Sequence, residues 1–165
     1  VLVAQPILMA IVSTFSGRLS DRKNPRKLAA LGMGISAVGL LILSFISSET
    51  AIIYILFGLI ILGTGFGLFS SPNTNVVMGS VDIRVYGTAS AILATMRSTG
   101  MMFSMAIASL TIHLFLGDAQ INVSNIPQLI TSTKIVFALF TVLCFIGVYT
   151  SLVKANIQIP TLKDE

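Results

Sequence analysis

Long runs without a single charge, broken by short polar gaps, dominate this chain. From Lys27 to Glu49, and again from Glu49 to Asp82, no charged residue occurs. A soluble helix with one wet face could not tolerate such runs, and the strands of a membrane barrel would alternate apolar and polar side chains, which these do not. In lipid only helices and closed barrels satisfy their own backbone, and a helix needs about 20 predominantly apolar residues to cross. The pattern predicts an all-α integral membrane protein with five transmembrane helices, at residues 1–16, 28–48, 51–79, 86–116 and 132–153. The chain is read as entering partway through the first span, and residues 154–165 as a tail. At 1.5 Å rise per residue, spans three and four exceed one crossing, so they must tilt, kink or protrude. Pro72, inside the third, supplies a cause for a kink.

Composition agrees: 55% of residues are hydrophobic and 10% charged, against roughly 25% charged in a soluble domain. Half of the ten Lys and Arg side chains gather in GRLSDRKNPRK, residues 17–27, as Arg18, Arg22, Lys23, Arg26 and Lys27. Such a knot can grip nucleic acid or mark a cytoplasmic turn, and the apolar spans on either side favour the turn. The other gaps extend the pattern. Residues 49–50 hold no basic side chain, 80–85 hold Arg84, 117–131 hold none, and the tail holds Lys154 and Lys163. Lys134, close to the outer end of the last span, is the exception, and its stem can reach the interface. The expected localisation is a multi-pass cell-membrane protein with 17–27, 80–85 and the C-terminus cytoplasmic, partnered by the lipid bilayer and by no nucleic acid. The lone Cys144 offers no disulfide, and no signal peptide is visible, so the chain reads as the C-terminal piece of something longer. Asn122–Ser124 match a glycosylation sequon, a triplet common by chance.

Arg97 is the sharpest candidate for chemistry, lying about eleven residues, or roughly 16 Å, into the fourth span. An ionised group there costs from about 3 kcal/mol upward, so it faces a partner or a wet cavity. Two readings stay open, a structural Arg bonding carbonyls of a neighbouring helix and a cavity-lining Arg. Ser90, Ala94, Gly100, Ser104 and Ala108 share its face, small enough to admit another helix. The third span reads GLIILGTGFGLFSSPNTN and carries Thr64 between Gly63 and Gly65. Gly63 and Gly67 form a GxxxG pair, best read as close packing. Pro72, Asn73 and Asn75 could line a water-filled path, with ordinary interhelical hydrogen bonding as the alternative. His113, the only histidine, is read as interfacial rather than proton-coupled. No HExxH, GxSxG, Gly-rich phosphate loop or intramembrane acid pair occurs, so neither an enzyme, a bound cofactor nor a metal is expected.

GRLSDRKNPRK resembles the cytoplasmic loop signature of the major facilitator superfamily, through Gly17, Leu19, Asp21, Arg22, Arg26 and Lys27. Asn24 and Pro25 depart from it, since the pattern usually has a Gly there, and Asn is expected to take the left-handed turn instead. With the glycine-rich span ending in SSPNTN and the span carrying ASAILATMRSTGMMFSMAIA, the chain looks like the C-terminal half of the fourteen-helix drug/proton antiporter branch. That resemblance implies a major-facilitator-type helical bundle, of which these would be the last five helices. The N-terminal half and the second half's first helix would be its partners. The third span would line the central cavity, the first and fourth would meet the other half, and the second and fifth would face lipid. It implies alternating access, a small-molecule substrate, a proton as coupling ion with its sites in the other half, and a cytoplasmic gating motif of Gly17, Asp21, Arg22, Arg26 and Lys27. Asp21 would latch onto a helix N-terminus of that half. A metabolite or sugar carrier of the same superfamily, and a helical scaffold with no substrate, are the rivals.

Overall fold

The computed structural model describes residues 3–20, 24–116 and 126–154. They form five α-helices, α1 (Ala4–Ser20), α2 (Pro25–Ser44), α3 (Ile52–Met78), α4 (Tyr86–Leu116) and α5 (Ile126–Lys154), with a 3-10 turn at Ile83–Val85 leading into α4. No strand occurs among the described residues. Four helices are long and apolar enough to cross a membrane, α2, α3, α5 and α4 together with its leading turn. The fifth, α1, has 17 residues.

Helix α3 lies between α1 and α2, α2 packs in turn on α5, and α5 on α4. Glycines explain why α3 can serve two neighbours. Gly63 and Gly67 meet α1: a Cβ on Gly63 would stand 2.8 Å from the Gln5 carbonyl oxygen, and one on Gly67 would stand 3.0 Å from that of Met9. Gly58 and Gly65 turn toward α2, where Gly32 and Gly39 reciprocate; a Cβ on Gly32 would stand 2.6 Å from the Phe69 backbone nitrogen. Two positions apart on a helix is about 200°, so Gly63 and Gly65 serve nearly opposite faces. Apolar side chains gain little from leaving lipid, so close backbone approach and van der Waals packing carry the association. The buried set is accordingly small-residue rich, with Ala29, Ala30, Ser36 and Ala37 on α2.

Helix ends differ from the expected bounds for local reasons. The first helix runs on through Gly17 to Ser20. Asn24 does not take a left-handed conformation: it is extended at φ −61°, ψ 109° and caps α2, its Oδ1 accepting from the Arg26 amide at 3.2 Å. The following Pro25 disfavours the helical region for Asn24 and is itself tolerated in the first turn, so the pair starts the helix rather than bending a loop. At the other end α2 stops at Ser44, four residues short, and the Ile42 carbonyl accepts both from the Phe45 amide at 3.2 Å and from Tyr54 Oη at 2.9 Å. Helix α5 begins at Ile126, inside the expected outer loop. Pro127 falls in its first turn, and Thr131, Ser132 and Thr133 donate back to carbonyls of Pro127 and Leu129 at 2.8–2.9 Å, which accommodates that polar turn. The rest of that loop with its sequon, and the tail beyond Lys154, lie outside the described residues.

Candidate functional site: the polar end of α3

Toward its C-terminal end α3 changes from a glycine-rich apolar helix to the run Ser70–Asn75. Pro72 lies within an unbroken helix and is almost fully buried. Lacking an N–H, it leaves the Leu68 carbonyl without its usual donor. That carbonyl accepts instead from Ser16 Oγ of α1 at 3.3 Å, and Ser16 is 1% exposed. The acceptor freed by the proline thus joins α3 to α1. One turn further on, Asn75 Nδ2 donates to the buried Ser20 Oγ at 2.9 Å. Between these bonds Gly17 sits against Ser71, where a Cβ would come 3.0 Å from the Ser71 hydroxyl. Ser16, Gly17 and Ser20 therefore bind the end of α1 to the polar end of α3, on the residue before the loop acid. Asp21 and Arg22 themselves, with Lys23, lie outside the described residues. Arg26 and Lys27 are in the first turn of α2, where Arg26 is exposed.

A second junction opens on the α4 side. Arg97 Nη2 donates to Thr74 Oγ1 at 2.7 Å and reaches the Ser70 carbonyl at 3.5 Å, while Thr74 Oγ1 donates to that same carbonyl at 2.9 Å. Of the two readings of Arg97, the bond to a neighbouring helix is realised, yet the side chain stays exposed. A guanidinium has five N–H donors, and a single nitrogen accounts for both contacts to α3. The remaining candidates lie apart from this cluster. Asn73 is half-buried on α3. Thr64 is half-buried and donates to its own helix at the Ile60 carbonyl, 2.8 Å. Gly100 faces open space, where an added Cβ would meet nothing within 4 Å, and Ser104 Oγ bonds the Met101 carbonyl at 2.8 Å.

Helix α4 is the bare element. None of its most apolar stretch is buried among the described residues, and Met101, Met102, Phe103 and Met105 are each about two-thirds or more exposed. A 510 Å³ open depression is lined by Thr88, Ala91, Thr95, Met96 and Thr99, of which the three threonines lie about half a turn from Arg97 at 100° per residue. Thr95 and Thr99 return their hydroxyl protons to the carbonyls of Ala91 and Thr95 at 2.9 and 2.8 Å, so the depression presents methyl groups. Sequence reading missed this face, although Thr88, Thr95 and Thr99 recur at helical spacing. It also missed Ser16 and Ser20, whose roles depend on which helices α3 touches.

The polar end of α3 is thus joined to the end of α1 on one side and to Arg97 of α4 on the other. The profile of the major facilitator superfamily matches residues 1–161. The chain belongs to the major facilitator superfamily. Among curated relatives, the uncharacterized transporter YebQ of Escherichia coli is 34% identical over 119 residues, covering 72% of this chain and 26% of that protein. The riboflavin transporter RibZ of Clostridioides difficile is 22% identical over 147 residues, 89% of this chain and 32% of that protein. The chain thus spans a quarter to a third of the length of these relatives. No solved structure matches it. Family membership and the apolar helices together make this a multi-pass membrane protein of transporter kind.

Proposed function

We propose that the chain is part of a secondary active carrier that exports drugs or other amphipathic small molecules in exchange for protons, by alternating access, as one portion of the C-terminal half of a fourteen-helix transporter. The observation that carries this reading is the double junction on α3, which joins the end of the basic loop to Arg97 through Ser20–Asn75 and Thr74–Arg97. Alternating access needs rigid helices that move against a second body around a midplane site. Helices α1, α2 and α3 supply rigidity, and the bare α4 supplies a face for the other half. Residues 17–27, 80–85 and the C-terminus face the cytoplasm, as basic gaps do. Asp21 then latches onto a helix N-terminus of the other half, a contact of about 0.3–1 kcal/mol, weak enough to open in each cycle. Its neighbour Ser20 is held by Asn75, so latch opening is felt at α3. The proton-binding acids belong to the rest of the carrier, and no cofactor or enzymatic step is involved.

The test is dye efflux by the full-length carrier in cells, with and without a proton uncoupler. Uncoupler-sensitive efflux is expected; efflux indifferent to the uncoupler refutes proton coupling. Reversing the latch charge, Asp21→Lys, is expected to lower turnover at least tenfold, and unchanged turnover removes the latch. A metabolite carrier is the second reading, favoured by the similarity to a protein named a riboflavin transporter. Uptake of labelled flavin with no dye efflux would decide for it, and a scaffold would do neither.

A further inference from the structure

A groove of 630 Å³ runs along the outer face of α2, lined by Lys27, Ala30, Gly34 and Val38 of that helix, with Val148 of α5 and Ile61 of α3 among its walls. Among the described residues, its one charged lining residue is Lys27, at one end. From Lys27 to Val38 is eleven residues, about 16 Å along the helix axis. The hydrocarbon core is about 30 Å thick, so the groove has the depth of one leaflet. Its middle is kept open by Gly34, where an added Cβ would meet nothing within 4 Å, whereas Gly32 and Gly39 on the other face of α2 are pressed against α3.

We propose that this groove is a binding site for one anionic phospholipid, the acyl chain lying along Ala30, Gly34 and Val38 and the phosphate meeting Lys27. Three features specify the occupant. The walls are apolar along the whole length, so a chain and not a polar solute fits there. The charge sits at the end where α2 meets the basic turn, the depth of a headgroup. A zwitterionic lipid brings its own quaternary ammonium close to Lys27 and offsets the pull of its phosphate, while phosphatidylglycerol carries a net negative charge. Bulk lipid wets any outer face, but a leaflet-deep notch ending in a cation selects for headgroup charge.

The full-length carrier, purified in detergent, is titrated with phosphatidylglycerol and with phosphatidylcholine of the same acyl chains, and bound lipids are counted by native mass spectrometry. Phosphatidylglycerol is expected to fill this site about fivefold more tightly than phosphatidylcholine. Lys27→Gln should weaken that site about fivefold for phosphatidylglycerol and leave phosphatidylcholine unchanged. Gly34→Leu, whose Cβ enters open space, should fill the notch and remove the site for both lipids. Equal retention of the two lipids, or an unaltered lipid count in Gly34→Leu, overturns the proposal. So does a dimer in the same spectra that Gly34→Leu dissociates, since a second copy would then be the occupant. Loss of folded protein in Gly34→Leu, with Lys27→Gln retaining every lipid, would mean another helix of the carrier covers the groove, and overturns it too. Binding is read without transport, so failure here is distinct from failure of the export reading.

Discussion

Helices α3 and α4 are both long, both apolar and both interrupted by polar residues, yet one is wedged and the other bare. Three glycines of α3, Gly63, Gly65 and Gly67, bring it against α1 and α2 at backbone distance, and its hydroxyls and amide end on defined partners. Helix α4 carries a comparable row of small residues, Ser90, Ala94, Gly100, Ser104 and Ala108, but Gly100 faces open space and the bonds to α3 run through Arg97 and a long Ser90–Met78 sulfur contact of 3.9 Å. Small residues in a membrane helix therefore state that a helix can approach and do not say which one. On α3 the partners are within the chain; on α4, under the proposed function, the partner is the other half of the carrier.

The contrast breaks most visibly at glycine. Gly32→Leu forces a side chain into the backbone of α3, which cannot yield, and should cost about 3 kcal/mol or more. In the full-length carrier this reads as a large fall in the thermal midpoint of detergent-solubilised protein. Gly100→Leu should shift that midpoint far less, since its Cβ meets open space, while lowering turnover if, as proposed, this face moves against the other half. An unchanged midpoint for Gly32→Leu would show that the α2–α3 wedge is not what holds the bundle.

Arg97 comes next in size. Arg97→Ala is expected to reduce turnover at least tenfold with the carrier still folded, and Arg97→Lys to restore little of it, since an ammonium does not reproduce the guanidinium fork. Full efflux by Arg97→Ala would reduce this residue to a tie between α3 and α4. The smallest effect belongs to Ser16→Ala, which strands the carbonyl that Pro72 leaves free. It should destabilise the carrier by about 1 kcal/mol, seen as a drop of a few degrees in the same melt. No drop would mean that water replaces the hydroxyl, and hence that the proline does open a wet path.

Much of this molecule was legible beforehand because the constraint is local. A bilayer demands runs of apolar residues about 20 long, so the charge-free stretches from Lys27 to Asp82 disclosed helices regardless of neighbours. The basic turn and its resemblance pointed to the superfamily, and GxxxG at Gly63 and Gly67 pointed to close packing, which α1 provides. Boundaries were less legible. Pro127 and the hydroxyls after it read as loop, but a proline in the first turn and hydroxyls that bond back to carbonyls are compatible with helix. Asn24 read as a bend, and the proline after it made it a cap.

By itself, then, the sequence of this protein determined that it lives in a membrane, how many helices it builds, and that Arg97 needs an answer inside the bilayer. Only the tertiary structure decided who answers. Ser16 meets the carbonyl beside Pro72, Ser20 meets Asn75, and Thr74 meets Arg97, across separations of 52, 55 and 23 residues. Burial in lipid acts on each segment alone, so composition reveals it. A hydrogen bond between helices depends on the rotation and depth of both, which the glycine contacts set and no single segment encodes.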